Sequence, residues 1–148
     1  MTRFEVTTRV AAPPRRVFDL CLDVDVHAAS MAGSGERVVA GVTSGRMRLG
    51  DTVTFEARHF GVRWRMTALI TAFEAPGRFV DEQVSGPFRH WRHEHRFEPD
   101  GNGGTIMRDL VDFSAPFGLP VLDRYVERLI RNRAEHLRSV AEPASAGR

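Results

Sequence analysis

Residues 86–99, GPFRHWRHEHRFEP, split into two chemically opposite faces when they are laid out as a β-strand. Trp91, His93, His95 and Phe97 fall on one side, and His90, Arg92, Glu94 and Arg96 on the other. A strand covering an ordinary core carries Val, Ile or Leu on its inner face, whereas this one sets two imidazoles between two aromatic rings. The pattern points to a partly polar, aromatic-lined cavity on the inner side.

The period of two extends outward on both sides of this stretch, through residues 36–42, 51–59, 62–73, 79–84, 88–97 and 105–113. Gly45, Gly50, Gly61, Pro76-Gly77, Gly86-Pro87 and the GNGG run at 101–104 punctuate these segments. Connections this short favour an antiparallel meander in which each strand pairs with the one before it. Phe4, Val6 and Thr8 alternate with Glu5, Thr7 and Arg9, which reads as an opening strand over 4–10. Pro13 and Pro14 end it and begin a short helix with Val17, Phe18, Cys21 and Leu22 at helical spacing. Asp23–Met31 reads as a second short helix, broken by Gly33, Ser34 and Gly35. After Pro116 and Pro120, an apolar stripe of Leu122, Val126, Leu129, Ile130, Leu137 and Val140 lies opposite Arg124, Arg128, Arg131, Glu135 and Arg138. The spacing predicts a helix over 120–141, about 30 Å long and able to cover the concave face of the sheet. The expected fold class is α+β: about seven strands in one curved antiparallel sheet around a long C-terminal helix, with two short helices after the first strand. One domain is expected over 1–141, and the Pro/Ala/Ser/Gly-rich residues 142–148 are expected to form a disordered tail.

Composition narrows the function classes. The 148 residues are 42% hydrophobic and 27% charged, as in an ordinary globular protein. No apolar run approaches the roughly 18 residues of a membrane span, so no stable membrane insertion is expected. The first residues, MTRFEV, lack the hydrophobic segment of a secretory signal, and a cytoplasmic location is the expectation. All 21 basic residues are arginine, yet the net charge is only +2. Arginines alternate with carboxylates without a basic block, so nucleic acid is not an expected partner. The lone Cys21, among Val17, Phe18 and Leu22, reads as a small buried side chain rather than a reactive thiolate.

Four stretches carry a family resemblance: APPRRVFDL at 12–20, GDTVTFEARHFG at 50–61, GPFRHWRHEHRFE at 86–98 and GTIMRDLV at 104–111. Together with the order of elements they resemble the START-like, or SRPBCC, superfamily. That superfamily includes birch-pollen allergens, lipid-transfer START domains and bacterial polyketide cyclases/dehydratases. The resemblance covers residues 4–140 and is most like the small bacterial members. It implies the helix-grip fold, with a hydrophobic cavity between the sheet and the long helix. Both carriers and enzymes occur in the superfamily, and it supplies no universal catalytic motif to carry over, so each candidate residue rests on its own chemistry.

A hairpin centred on Gly101 sets His93 and His95 opposite 107–111, with Asp109 on the same face. A carboxylate facing an imidazole fixes its tautomer and is expected to raise its pKa, which suits a general base. The alternative is a satisfied polar pair that holds strands in register. His93 and His95, with Asp109 and with His59 if it shares the concave face, also have the donor types of a metal site; alternation alone places them together, no ligand motif accompanies them, and neither metal nor cofactor is expected. Phe55 and His59 on one strand and Trp64 and Met66 on the next, joined at Phe60-Gly61, give aromatic and adaptable lining. Trp91, Phe97, Met107, Phe113, Val126 and Ile130 extend it, and Asp81 and Gln83 add polar anchors if their strand face is concave. Arg133 lies inside the apolar stripe of the last helix, where a cation requires either an internal acid, the favoured reading, or a ligand carboxylate or phosphate. The arginines on the outer side of that helix alternate with Glu127 and Glu135 and read as a solvated face. The expected function is binding of a small hydrophobic or aromatic ligand (lipid, isoprenoid or polyketide-like) by a monomer or homodimer. The alternative is a cyclase/dehydratase-type enzyme that moves a proton through His93, His95 and Asp109.

Overall fold

The computed structural model describes residues 1–30, 36–116 and 120–143. Met31, Gly33, Ser34 and Gly35, where the second helix was expected to end, lie outside them, as does the expected tail from 144 onward. The element order is β1 (Thr2–Val10), α1 (Pro14–Cys21), α2 (Val24–Ser30), β2 (Arg37–Gly41), β3 (Thr52–His59), β4 (Val62–Glu74), β5 (Arg78–Ser85), β6 (His90–Pro99), β7 (Thr105–Ser114) and α3 (Pro120–Ala141).

The seven strands form one antiparallel sheet in the order β1-β7-β6-β5-β4-β3-β2. From β3 to β7 each strand pairs with its predecessor, as expected of a meander. β1 departs from that rule: α1 and α2 carry the chain away from it, and it pairs instead with β7, Thr2 opposite Phe113 through Val10 opposite Thr105. This places β6 and β7 in the interior of the sheet and makes β1 and β2 its edges.

Local chemistry explains the junctions. Pro14 opens α1, where its missing N–H has no partner to lose. Asp23 caps α2, its Oδ1 accepting from the backbone N–H of Asp25 at 2.9 Å and of Val26 at 3.1 Å. β3 and β4 are joined by the two residues Phe60 and Gly61, both at positive φ, 54° and 75°. That is the geometry of a type I′ hairpin turn. Glycine adopts it freely; phenylalanine does so at a steric cost of roughly 1–2 kcal/mol.

The concave face is the core. Phe18 of α1 meets Phe73, Phe79 and Phe97 edge-on at 5.4, 5.7 and 5.4 Å, closing one end. Val126, Ile130, Ala134, Leu137 and Ala141 of α3 are buried over the sheet. The convex face is polar and organised around two carboxylates. Glu56 is ringed by Arg37, Arg65 and Arg63 at 2.9, 2.8 and 3.7 Å, and Glu94 by Arg78, Arg92 and Arg96. Burial works to raise the Glu94 pKa, but hydrogen bonds from Arg96, Arg78 and Arg92 outweigh it and hold the carboxyl at about 2.

Candidate functional site

The site grows from β5, β6 and β7. In register, Asp81 faces His93 across β5–β6 and His95 faces Asp109 across β6–β7. The side chains bond along the diagonals instead: His93 Nε2 meets Asp109 Oδ1 at 2.8 Å, and His95 Nε2 meets Asp81 Oδ2 at 2.7 Å. This crossing lays the two imidazoles against each other, centroids 3.7 Å and planes 21° apart. Phe79 stacks on the other side of His95 at 4.1 Å, and Trp91 meets His93 edge-on at 6.3 Å. His93, His95 and Asp109 are buried, Asp81 half-buried.

The electrostatics follow from burial. A facing carboxylate was expected to raise the imidazole pKa, and for His95 the direction is the opposite. Burial, and after it the adjacent His93 ring, push His95 down to about 4, against the opposing hydrogen bond that His95 donates to Asp81. Away from water the imidazolium loses more solvation than one partner restores. For Asp81 and Asp109 burial works upward, but hydrogen bonds from His95 and His93 respectively, with nearby positive charge including Arg133, keep both below the ordinary carboxylate range. An ionised carboxylate only accepts, so the Nε2 atoms carry the protons and His95 Nδ1 keeps its lone pair. His95 Nδ1 and Asp109 Oδ2 are both buried with no hydrogen-bond partner among the described residues. Two acceptors therefore sit side by side, Nδ1 being 3.5 Å from Asp109 Oδ1, without a donor. Each unpaired atom costs about 1–3 kcal/mol.

Asp81, His93 and His95 each offer a potential metal-ligand atom, all within 4.8 Å of one another. This grouping takes Asp81 where the sequence suggested Asp109. With the rings nearly parallel, their in-plane lone pairs run side by side rather than converging, and both Nε2 atoms already serve carboxylates. The donor set therefore fits a resident metal poorly.

The remaining candidates fall on the concave side but not all in one place. Trp91, Phe97, Met107 and Phe113 are buried on the sheet, and Val126 and Ile130 of α3 belong to the same buried core. Phe55 packs against His27 in a tilted arrangement, ring centroids 4.3 Å apart, and Met66 packs half-buried beside it in the core. Trp64 lies at the rim, exposed, its indole N–H reaching the His59 carbonyl at 3.3 Å. Gln83 anchors no cavity: its amide donates to the Phe88 carbonyl at 2.7 Å and accepts from the Phe88 N–H at 3.2 Å, bracing the turn between β5 and β6. A Cβ on Gly86 would stand 2.5 Å from Gln83 Oε1, so that brace requires glycine there. Arg133 was expected to pair with an internal acid, yet among the described residues it forms no ion pair. It lines a small pocket between α1, α2 and α3 with Cys21, His27, Ser30 and His136. Burial pushes the Cys21 thiol pKa far up, consistent with an inert side chain.

Among the described residues the lining expected of the cavity is closely packed: Phe97, Met107 and Phe113 are at most 3% exposed. The pocket beside Arg133 has a volume of about 10 Å³, room for about one water, against the roughly 300 Å³ or more of a ligand site. Two features escaped the sequence reading. Tyr125 bonds His59 Nδ1 at 2.6 Å, tying α3 to the β3–β4 hairpin; the chain's one tyrosine, beside Val126 in the apolar stripe, was the available signal. His27 lies 2.8 Å from Glu36, and burial, then Arg133, lowers its pKa; no local spacing signals that pair.

A family model described as "Polyketide cyclase / dehydrase and lipid transport" matches residues 1–142. The chain belongs to this family. Solved structures place this polyketide cyclase/dehydrase and lipid transport family member in the helix-grip fold. The Zhui aromatase/cyclase from Streptomyces sp. R1128 is 19% identical, with TM-score 0.76 over 99% of both chains. A protein from Chromobacterium violaceum is 15% identical, with TM-score 0.74 over 95% of this chain and 97% of its own. A START superfamily protein from Mycobacterium smegmatis is 15% identical, with TM-score 0.69 over 94% and 96%. At these identities the likeness shows the fold. No curated protein matches the chain in sequence. Among the described residues of this family member, no helix is long and apolar enough to cross a membrane.

Proposed function

We propose that the protein binds a small, largely apolar or aromatic molecule carrying a hydroxyl group, held between the sheet and α3. The observation that carries this reading is the pair of buried acceptors, His95 Nδ1 and Asp109 Oδ2, with no donor among the described residues. A phenol, enol or alcohol supplies the donor, and Trp91, Phe97, Met107 and Phe113 supply an apolar wall around it. Because that wall is packed, binding requires α3 to ride outward from the sheet, and Arg133 stands where the pocket between α1, α2 and α3 opens. Membership in a family that includes lipid transport and cyclisation supports the reading.

A second reading, a cyclase or dehydratase, is favoured by one further observation. His95, with its pKa held near 4, is neutral at physiological pH and carries its lone pair inside an apolar site beside two ionised acids. Such a nitrogen takes a proton from a carbon acid held against it, while the surrounding wall excludes water.

Native mass spectrometry of freshly purified protein, followed by titration with phenolic polyketides, isoprenoid alcohols and fatty acids, tests the proposal. A retained organic adduct or saturable binding, weakened by Asp109→Asn, supports it. A bare mass with no saturable binding across the panel overturns it. If His95→Gln retains binding while abolishing turnover of a cyclisable substrate, the enzyme reading replaces the carrier.

A further inference from the structure

The β3–β4 turn and the first turns of α3 present a second feature, remote from the buried acceptors. Phe60, Val62 and Trp64 are 66%, 49% and 40% exposed, and Val121 is 63% exposed. Tyr125 joins the two elements: its ring lies 4.7 Å from that of Phe60, and its hydroxyl meets His59 Nδ1. Val121 is one helical turn before Tyr125 and so on the same side of α3. Phe60 occupies a left-handed turn position that suits asparagine or glycine, and the residue is two-thirds exposed despite its contact with Tyr125, so neither backbone preference nor burial accounts for phenylalanine there.

The charges beside this tip are predominantly positive, with Glu56 on β3 and Asp123 and Glu127 on α3 as the acids among them. Arg58 stands directly opposite Arg63 in the β3–β4 register, a like-charged pair that costs stability. Arg37, Arg63 and Arg65 share the single carboxylate of Glu56. On α3, Arg124 and Arg128 flank Tyr125, both exposed and without an ion pair among the described residues, although Glu127 pairs with Arg131. The turn is a projecting end rather than a groove, and it combines Phe, Trp and Tyr with a surplus of guanidinium groups. Aromatic rings settle at the headgroup level of a bilayer, and arginines complement lipid phosphates.

We propose that this tip docks the protein on anionic lipid bilayers, with Phe60 and Trp64 at the interface and Arg58, Arg63, Arg124 and Arg128 against the headgroups. The surface is independent of what occupies the interior, so failure of either proposal leaves the other standing. The test is co-sedimentation of the full chain with sucrose-loaded vesicles of phosphatidylcholine alone or with about one-third phosphatidylglycerol, at low salt and then with added salt. The expected result is pelleting with the anionic vesicles only, weakened by salt, with a blue shift of Trp emission that is lost in Trp64→Phe. Phe60→Asn, which suits the turn, is expected to keep or raise the melting temperature while weakening vesicle binding by about tenfold, as is the double variant Arg58→Glu/Arg63→Glu. No pelleting with anionic vesicles at low salt, equal pelleting with neutral ones, or binding unchanged in both variants overturns the proposal. Self-association in sedimentation that Phe60→Asn abolishes, without vesicle binding, overturns it in favour of a dimer contact.

Discussion

His95 couples the stability of the fold to pH. Its ring takes a proton near pH 6.5 when unfolded and only at about 4 when folded. Between those values the unfolded chain binds more protons, so stability is complete above about 6.5 and falls as the pH drops toward 4. His27 and His59 shift in the same direction, and the depressed Asp81, Asp109 and Glu94 extend the loss below the ordinary carboxylate range. Denaturant midpoints at pH ~7.5 and ~4.5 are expected to differ, with a smaller difference in His95→Gln; an identical difference in the variant would remove His95 as the cause. The polar cluster also has a testable energetic sign. Asp109→Ala strands the His93 N–H and is expected to cost about 3 kcal/mol or more, whereas replacing Asp81, His93, His95 and Asp109 together by Leu or Phe is expected to be neutral or stabilising by about 1–4 kcal/mol. Urea unfolding of the two variants decides whether the cluster serves the fold or something else.

Phe18 is the part of α1 that holds the closed end, its ring meeting three others. Phe18→Ala is expected to cost about 3–5 kcal/mol, read from the same unfolding curves. The contribution of such elements was legible before the structure. Alternation in 36–42 and 105–113 gave strands because side chains on a pleated backbone must point to opposite faces, and the two-residue gap at Phe60-Gly61 left room only for a tight turn. The placing of His93, His95 and Asp109 on one face followed from the same parity. What parity does not contain is rotamer choice: His95 turns to Asp81 on β5 rather than to Asp109 directly opposite, which depends on three strands at once. It also does not contain packing density. A lining of Trp91, Met107 and Phe113 reads alike whether the side chains stand around a space or fill it, and here they fill it. Tyr125 at the helix and Arg133 without an ion pair among the described residues likewise depend on where α3 settles over the sheet.

Across the whole molecule, protection is expected to be unequal. β6 and β7 are hydrogen-bonded on both sides and carry the buried cluster, while β2 is a five-residue edge with an irregular register against β3. Amide exchange is therefore expected to be slowest in β6 and β7 and fastest in β2; uniform protection would contradict this assignment. The pairing of β1 with β7 has a consequence during synthesis on the ribosome. β1 emerges first, with Val6, Thr8 and Val10 on a face that is buried only in the finished sheet, and its partner is translated roughly 100 residues later. At about 5–20 residues per second, the nascent chain holds that strand unpaired for roughly 5–20 s. Glu5, Thr7 and Arg9 on the opposite face are then the features of β1 itself that oppose premature pairing with another chain.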